Sequence, residues 1–544
     1  MKAILLKVLR YCLFLLLVQP LMAAEGTKGN LVSAQWLEKN LTSANVLILD
    51  ASPAKAYAAG HIPGAVNVDV FTILTFGIRE VPMVEIERTY QSYGITPGKK
   101  IVMYDQGGTW LAPRFLYALY YHGFPVKDLL ILDGGFAKWK ADGLTVTKDA
   151  TPAPKRGAFK VAKINESARA KLPEFLTASG DTANNVLVEA LGPEMHFGQM
   201  RFFNKSGHIP NAVLMPEGDF FNADKTFKSP EEIRRMLAYH SIKPEQAIYA
   251  HCGGGGAAAV PYFALKFLVN YPKVKLYNES QMGWLNDERD LPFWTYDAPN
   301  LMRDTDWLGS WGGKMMRMYG QSNVSVVDVR PAEAYKLAHV PFAINIPADV
   351  FRANADSPAK LAEVLGSAGV DAGHEAVVIS GAGLTKESAL AFLMLERLGQ
   401  KRVSVFMDSL DSIESLDKMS RRNFAVTKDT PPAPPKTYRE NVRKGVAIAD
   451  PKSPDGIYPR VFIASGASVP AKAPEGKVVH VPYTELVKAD GTPKEAKDIW
   501  TILTKAGVPR YAEIVVFSDD LGEAAVNYFV LKLMGYPDAK VLVS

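Results

Sequence analysis

Cys252 is the residue whose side chain and surroundings most directly suggest covalent chemistry. The chain has two cysteines, and the other one, Cys12, lies within the N-terminal 24 residues. Cys252 follows an aliphatic and aromatic run and opens a loop made of Cys252, Gly253, Gly254, Gly255, Gly256 and Ala257. Glycines let the backbone curve around the sulfur with its amide N–H groups turned inward, which suits a sulfur anion. The pattern therefore predicts a nucleophilic cysteine in an anion-binding loop.

Other kinds of site would place different residues around this loop. A phosphate-binding loop would end in Gly-Lys-Ser or Gly-Lys-Thr, and this one does not. A cysteine phosphatase needs an arginine six positions after its cysteine, where this chain has Ala258. The sequence shows no clustered ligands that would predict a metal site, so we expect none. The remaining alternative is a buried and inert cysteine, which the glycine loop does not favour.

The first 24 residues have the pattern of a secretory signal peptide. Lys2, Lys7 and Arg10 surround the start of an apolar run at 11–18, and small residues at 23–24 offer a cleavage site. The run is too short to span a bilayer, although an uncleaved N-terminal anchor is the alternative. No later stretch predicts a membrane span. We therefore expect a periplasmic or secreted protein whose lone mature thiol has no internal disulfide partner.

Composition places the chain among ordinary globular proteins. Of its 544 residues, 48% are hydrophobic and 22% are charged, which is enough apolar material for several cores. The net charge is +5 and no basic block stands out, so nucleic-acid binding has no electrostatic support. This length predicts roughly three to five domains.

A short marker centred on a histidine recurs three times. It reads Gly-His-Ile-Pro at 60–63 and 207–210, and Ala-His-Val-Pro at 338–341. Each histidine is followed, 41 to 44 positions later, by the residue that opens a loop after a strand-like run. These three loop residues are Asp105, Cys252 and Ser380. Near-equal spacing of several weak markers indicates an internal repeat.

We therefore divide the chain into a signal peptide and four units, with predicted boundaries 1–24, 25–150, 151–303, 304–430 and 431–544. Proline-rich linkers at 151–157 and 430–436 support the division. The elements in which a strand runs into a loop are 100–105, 247–252, 376–380 and 513–518, and the last residue of each opens the loop. Helical patterns follow at 258–269, 388–398 and 523–534, and further strands are predicted at 457–464, 478–482 and 540–543. This alternation predicts an α/β fold in which each unit is a parallel sheet flanked by helices on both faces.

These motifs together resemble the rhodanese family of sulfurtransferases. The resemblance is carried by the markers at 60–63 and 207–210, the loop at 252–257, and Leu-Asp-Gly-Gly-Phe-Ala-Lys-Trp at 132–139. It is closest to the tandem thiosulfate and 3-mercaptopyruvate sulfurtransferases, extended here to four rhodanese-like units. In the tandem form the first unit is inactive and has Asp in the place of the cysteine, as Tyr104-Asp105 followed by Ala112-Pro113-Arg114 has here.

The resemblance implies that Cys252 carries a persulfide, with Gly253, Gly254, Gly255, Gly256 and Ala257 as its binding loop. It implies no cofactor, because the sulfur is held covalently by the cysteine. The uncharged loop is nearer the mercaptopyruvate type, which reads Cys-Gly-Ser-Gly-Val-Thr, but Ala257 lacks the hydroxyl of that pattern. Units 3 and 4, with Ser380 and a loop starting at Ser518, are interpreted as inactive modules that have a structural role or bind a protein partner.

The second unit differs from the family pattern at the end of the strand that precedes its Gly-His-Ile-Pro marker at 207–210. Active tandem members have Asp-x-Arg with a further arginine nearby, whereas this unit reads Glu189-Ala190-Leu191. Such arginines would hold an anionic substrate by their fork geometry. Arg201, a little further along, is the candidate substrate anchor that we name in their place.

Several other side chains have simpler explanations than catalysis. His251 neighbours the nucleophile on a strand and should point to the opposite face. The marker histidines His61, His208 and His339 are interpreted as structural, because unit 1 has no nucleophile for His61 to serve. Trp139 and Trp284 are expected in the core or an interface.

The predicted function is transfer of sulfane sulfur from thiosulfate or 3-mercaptopyruvate to cyanide or a thiol acceptor through a Cys252 persulfide. The alternative is a non-enzymatic protein built from rhodanese modules, acting as a sulfur carrier, a redox-sensing thiol or a partner-binding scaffold. A third possibility is a thiol-dependent reductase of an oxyanion. The expected partners are a small anionic sulfur donor and the acceptor, with no nucleic acid and no membrane span after signal cleavage.

Overall fold

The computed structural model describes residues 27–72, 77–312, 314–411, 426–452 and 456–543. The predicted signal peptide lies outside these residues. The chain forms two compact lobes. Lobe one contains the chain as far as Gly192, with Val213–Arg234 and Pro244–Leu291, and lobe two contains Pro193–Ala212, Arg235–Lys243 and Pro292–Ser544.

The first sheet has six strands, and all but the edge pair β1–β2 are parallel. Its strand order is β1-β2-β6-β5-β3-β4. The strands are β1 (Thr27–Lys28), β2 (Leu31–Val32), β3 (Val46–Asp50), β4 (Val66–Asn67), β5 (Lys100–Tyr104) and β6 (Leu129–Leu132). The helices of unit 1 are α1 (Ala34–Lys39), α2 (Ala54–Ala59), α3 (Met83–Ser92), α4 (Leu111–Tyr121) and α5 (Gly135–Ala141).

The second sheet has five strands in the order β7-β11-β10-β8-β9. They are β7 (Arg169–Ala170), β8 (Asn185–Glu189), β9 (Ala212–Leu214), β10 (Ala247–His251) and β11 (Val274–Tyr277). The helices are α6 (Leu172–Gly180), α7 (Pro193–His196), α8 (Pro230–Tyr239), α9 (Ala259–Phe263) and α10 (Ser280–Leu285), with a π-helix at Ala264–Leu268 after α9. The predicted helix 258–269 is therefore two short helical segments, because the Ala264 carbonyl accepts from the Val269 amide five residues later.

The third sheet repeats this order as β12-β16-β15-β13-β14, and all of its strand pairs are parallel. Its strands are β12 (Met302–Arg303), β13 (Val324–Asp328), β14 (Ile344–Asn345), β15 (Glu375–Ile379) and β16 (Arg402–Phe406). The helices are α11 (Thr305–Trp311), α12 (Lys314–Met318), α13 (Ala332–Leu337), α14 (Ala348–Ala353), α15 (Pro358–Ser367) and α16 (Lys386–Arg397).

The fourth sheet has the same order again, β17-β21-β20-β18-β19. Its strands are β17 (Ala447–Ile448), β18 (Arg460–Ala464), β19 (Lys477–His480), β20 (Glu513–Phe517) and β21 (Ala539–Leu542), with helices α17 (Ala496–Lys505) and α18 (Leu521–Leu533). Unit 4 thus keeps the fold although its histidine marker is missing. The predicted class, four α/β units built on parallel sheets, is confirmed.

The strand before each loop lies in the interior of its sheet and ends at the residue before the one that opens the loop. β5, β10, β15 and β20 stop at Tyr104, His251, Ile379 and Phe517. Their residues are mostly fully buried and aliphatic, as expected for a strand paired on both sides. The residue that follows therefore leaves the ladder and turns at the carboxyl end of the sheet, where α/β folds bind ligands.

Trp139 and Trp284 are both buried, which confirms that they belong to the protein interior. Within the part of the chain that the structure describes, no helix is both long and apolar enough to cross a membrane.

Candidate active site

Cys252 is the first residue after β10 and is almost fully buried, with 2% of its surface exposed. Hydrogen bonds from the start of α10 fix its position. The amide of Cys252 donates to Ser280 Oγ over 3.0 Å, and the amides of Gln281 and Met282 donate to the carbonyls of Cys252 and Gly253 over 3.0 and 2.9 Å. The loop is thus held from both its N–H and its C=O groups.

The sulfur of Cys252 accepts a hydrogen bond from the loop itself. The Gly255 amide donates to Sγ over 3.1 Å, which is one of the inward-pointing amides that the glycine run predicts. The Ser280 hydroxyl lies 4.0 Å from Sγ and donates to the Tyr277 carbonyl over 2.8 Å. A hydroxyl therefore stands near the sulfur although Ala257 supplies none.

Gly255 must be a glycine for this geometry to exist. Its φ is +88°, a backbone conformation that L side chains rarely adopt. A Cβ at this position would lie 2.6 Å from the Asn278 carbonyl oxygen and 2.9 Å from Asn278 Oδ1. The close approach of these two backbones is what presents the Gly255 amide to the sulfur.

Unit 1 covers the loop of unit 2. The Gly77 amide donates to the Gly254 carbonyl over 3.0 Å. A Cβ on Gly256 would lie 3.1 Å from the ring of Trp110. The inactive unit therefore forms one wall of the site, which explains how the loop remains buried.

Arg114, on α4 of unit 1, places a buried cation beside the loop. It is 2% exposed, donates to Asn278 Oδ1, and its guanidinium lies 5.0 Å from the centroid of the Tyr117 ring. Burial lowers the pKa of Arg114 to about 10, and Coulombic interactions with Tyr117 and Cys252 act in the opposite direction. Arg114 is therefore still a cation at neutral pH, and it is close enough to interact with a Cys252 thiolate.

The sequence analysis assigns Arg114 only to the motif of the inactive unit 1. It does not predict that Arg114 lies beside the cysteine loop of unit 2. The available signal was the position of Arg114 in the apolar helix α4. Arginine is rarely buried in a protein interior unless it has a partner there, so such a position indicates one. Arg201, the anchor named instead, is exposed and belongs to lobe two. Its role stays a prediction.

The strand end that lacks the Asp-x-Arg pattern supports the site structurally. Glu189 is fully buried and accepts a hydrogen bond from Gln281 Nε2 over 2.7 Å. Leu191, two residues later, is buried. The hydrogen bond to Glu189 ties the end of β8 to α10, whose amides hold the cysteine loop.

The other three loops contain different chemistry at the position of Cys252. Asp105 accepts from the Gly107 amide over 2.8 Å, the Ala112 amide over 3.0 Å and the Thr109 hydroxyl over 2.6 Å. Burial raises the pKa of Asp105, and these donors act in the opposite direction. Ser380 Oγ donates to the Gly383 carbonyl over 2.8 Å, and Ser518 Oγ donates to Glu523 Oε2 over 2.6 Å.

Glu217 is a titratable residue near the end of β8 and near Asp105, and the sequence analysis does not name it. Burial, and after it the charge of Asp105, raise the pKa of Glu217 to about 7. Its backbone amide donates to the Ala190 carbonyl over 3.0 Å, which ties it to the end of β8. This carboxyl group changes its charge near neutral pH.

The marker histidines make the contacts expected of structural residues. His61 Nδ1 and His339 Nδ1 donate to the carbonyls of Tyr57 and Tyr335, over 3.0 and 2.7 Å. His251 is fully buried, and its ring centroid lies 5.3 Å from that of Phe175 in an edge-on contact.

Comparison with known proteins gives a match to one family along most of the chain. The family model of the rhodanese-like domain matches residues 33–142, 177–287 and 313–415. A protein of Saccharopolyspora erythraea named as a thiosulfate sulfurtransferase is 30% identical, over 46% of this chain and 91% of its own length.

Two other relatives have related names. The 3-mercaptopyruvate sulfurtransferase of Escherichia coli is 29% identical, over 48% of this chain and 96% of its own length. The sulfur carrier protein TtuD of Thermus thermophilus is 28% identical, over 47% and 93%. Among solved structures, the anaerobic ergothioneine biosynthesis enzyme of Chlorobium limicola is 22% identical with a TM-score of 0.44, covering 49% of this chain and 70% of that chain.

Proposed function

Since the chain belongs to the family of proteins with rhodanese-like domains, we propose that it is a sulfurtransferase that works through a persulfide on Cys252. The observation that carries the proposal is the donated hydrogen bond from the Gly255 amide to Sγ beside the buried cation of Arg114. Both favour a negative charge on sulfur, which a thiolate nucleophile and a persulfide share.

In the first step the Cys252 thiolate attacks the outer sulfur of the donor. With thiosulfate, the S–S bond of the donor breaks and sulfite leaves with the bonding electron pair. With 3-mercaptopyruvate, the thiolate attacks its one sulfur, the C–S bond breaks with its electron pair going to carbon, and the carbon takes the proton that the transferred sulfur gives up, which gives pyruvate. The charge stays on the transferred sulfur, close to the Gly255 amide and Arg114.

In the second step an acceptor thiolate or cyanide attacks the outer sulfur of the persulfide. The Cys252–sulfur bond breaks, and Cys252 regains its thiolate. Two easier displacements thus replace one direct transfer. The cysteine itself carries the sulfur, so the chemistry needs no cofactor.

We propose thiosulfate or 3-mercaptopyruvate as the donor and a thiol or cyanide as the acceptor. The names of the relatives support both donors. The loop at 253–257 is uncharged, and Arg114 adds one cation beside it, which is less positive charge than a pair of arginines would supply. This favours 3-mercaptopyruvate, which has a single carboxylate, over the dianion thiosulfate.

The proposed location is the periplasm or the cell exterior, on the evidence of the N-terminal sequence. Units 3 and 4 have serine at the cysteine position and therefore cannot hold a persulfide. We propose that they support the protein structurally or bind a protein partner. A second candidate function, a sulfur carrier that passes the persulfide to a protein, is favoured by the relationship to a sulfur carrier protein.

Intact mass spectrometry of the protein after incubation with each donor tests the proposal. We expect a gain of about 32 Da, the mass of one sulfur atom, which disappears in Cys252→Ser and is discharged by cyanide or dithiothreitol. A stable adduct that small acceptors do not discharge would favour the carrier function. The absence of an adduct with every sulfane donor would contradict both.

A further inference from the structure

Asn278 contacts both of the residues that stabilise a negative charge on the Cys252 sulfur. It is the first residue after β11 and is buried. Its Oδ1 accepts a hydrogen bond from the Arg114 guanidinium. A Cβ on Gly255 would lie 2.6 Å from its backbone carbonyl oxygen and 2.9 Å from Oδ1, so Gly255 packs directly against it. One residue thus contacts both the cation and the glycine whose amide donates to the sulfur.

A second hydrogen bond fixes the orientation of the Asn278 amide. Its Nδ2 donates to the Gly77 carbonyl over 3.2 Å. A carbonyl oxygen can only accept and a guanidinium can only donate, so the side chain at 278 has to offer one donor and one acceptor. An amide does this. The Gly77 amide in turn donates to the Gly254 carbonyl over 3.0 Å, so the same side chain also holds the segment of unit 1 that covers the loop.

The corresponding residue of unit 1 has a different neighbour and a different side chain. Asp133 is the first residue after β6, as Asn278 is after β11, and the two strands have the same place in their sheets. Asp133 Oδ1 accepts from the Phe227 amide over 2.8 Å. A backbone amide needs only an acceptor, which a carboxylate provides. Unit 2 has an amide instead of this carboxyl group, at the place where the neighbour is a buried arginine.

An aspartate beside Arg114 would change the charge of the site. A buried carboxylate and a guanidinium form an ion pair, in which each cancels much of the field of the other. The amide of Asn278 accepts the same hydrogen bond and has no net charge. Among the groups that act most on the pKa of Arg114 within the described chain, Cys252 is one and none is a carboxyl group. The positive charge of Arg114 therefore acts on the sulfur.

We propose that Asn278 is a positioning residue for the sulfur chemistry, whose neutral amide holds Arg114 beside Cys252 without cancelling the charge of the guanidinium. Asn278 acts through Arg114 and takes no part in bond making. The inference rests on the proposed function, because the thiolate that Arg114 stabilises is the nucleophile of that proposal. It explains how a thiolate can be stabilised in a loop whose residues 253–257 have no charge of their own.

Two substitutions separate the charge of this side chain from its hydrogen bonds. Asn278→Asp keeps the size and the acceptor for Arg114, adds a negative charge and loses the donor to Gly77. Asn278→Ala removes both side-chain hydrogen bonds and adds no charge, so Arg114 is no longer held in place. Both should make the thiolate less stable, and Asn278→Asp should have the larger effect because it cancels the positive charge.

The pH profile of the thiolate measures this effect without any sulfur donor. Ultraviolet absorption of the full chain is recorded against pH. The same titration of its Cys252→Ser counterpart is subtracted, which removes the contributions of Cys12 and the tyrosines. We expect the Asn278→Asp profile to lie at higher pH by about one unit or more, the size of effect that a single nearby charge produces. The Asn278→Ala profile should move in the same direction by less.

The Arg114→Met background shows whether Asn278 acts through the arginine. In that background Asn278→Ala should leave the profile where Arg114→Met alone puts it, since no guanidinium remains to be positioned. A side chain that only supported the fold would shift the profile by the same amount in both backgrounds.

Asp133→Asn is the matched control. It makes the reciprocal change at the corresponding place in unit 1 and keeps an acceptor for the Phe227 amide. It should therefore fold and leave the thiolate profile unchanged.

Circular dichroism establishes that each protein is folded before the profiles are compared. A folded Asn278→Asp protein with the wild-type profile would overturn the proposal. So would a shift in Asn278→Ala that is as large without Arg114 as with it. A failure of sulfur loading in the intact-mass assay would contradict the proposed function and leave these titrations unaffected, so the two failures are distinguishable.

Discussion

Replacement of Gly255 by alanine tests the link between loop geometry and sulfur chemistry. The change adds one methyl group at φ +88°, 2.6 Å from the Asn278 carbonyl oxygen. The left-handed conformation costs an alanine about 1–2 kcal/mol. The contact is also too short for a carbon and an oxygen, so the residue has to move away from Asn278. Its amide, now 3.1 Å from Cys252 Sγ, then moves with it.

The lost hydrogen bond sets the size of the kinetic effect. A hydrogen bond to a charged group contributes about 1.5–3 kcal/mol. At 1.36 kcal/mol for each factor of ten, this predicts persulfide formation that is roughly 10- to 100-fold slower. The free energy of unfolding should fall as well, by about the 1–2 kcal/mol of backbone strain.

Gly383→Ala is the matched control. Gly383 stands three residues after Ser380, as Gly255 stands three residues after Cys252. Its φ is +70°, and a Cβ there would lie 2.8 Å from the Gly491 carbonyl oxygen. The control should therefore cost comparable stability without changing sulfur loading. Loading is followed by quenching the reaction at set times and measuring intact mass. A folded Gly255→Ala protein that loads sulfur at the wild-type rate would refute the reasoning.

Three further predictions concern charged groups in lobe one. Arg114→Met should slow persulfide formation roughly 100-fold, as loss of one preorganised donor typically does, with a smaller effect for Arg114→Lys, measured by the same mass assay. Asp105→Ala should lower the free energy of unfolding by about 2–4 kcal/mol in denaturant titrations, because three donors lose their acceptor. The pKa of Glu217 is raised, so between the ordinary glutamate value of 4.5 and about 7 this residue binds a proton in the folded state. Stability is lost as pH rises through that window, and Glu217→Gln should stabilise the protein at about pH 8 but not at about pH 4.

The repeated fold could be predicted because its signals are local. Buried strands ending in a loop, followed by helical periodicity, recur in each unit, and the three histidine markers set the spacing. Even unit 4 was assigned correctly without its marker, since β18, β20 and α18 keep their patterns. What ends the strand at Cys252 is the hydrogen bond from its amide to Ser280, which lies 28 residues later.

The walls of the site could not be predicted, because they come from distant parts of the chain. Arg114 and Asn278 are 164 residues apart in sequence and meet only when unit 1 packs on unit 2. Likewise, Ala257 lacks the hydroxyl of the mercaptopyruvate pattern, whereas Ser280 supplies a hydroxyl from another element.

The four loops, taken together, suggest why one of them would perform the chemistry. In unit 1 the turn contains its own acceptor, because three donors surround the Asp105 carboxylate. In unit 4 the serine of the turn donates to the Glu523 carboxylate, which would repel a further anion. Unit 2 has a thiol at this position, with the Gly255 amide and the Arg114 cation already in place around the sulfur. Groups that are fixed before the charge appears stabilise it without reorganisation. Under the proposed mechanism, the persulfide of unit 2 therefore occupies the position that the Asp105 carboxylate has in unit 1. Sulfur transfer then uses an anion-binding site that the turn itself forms.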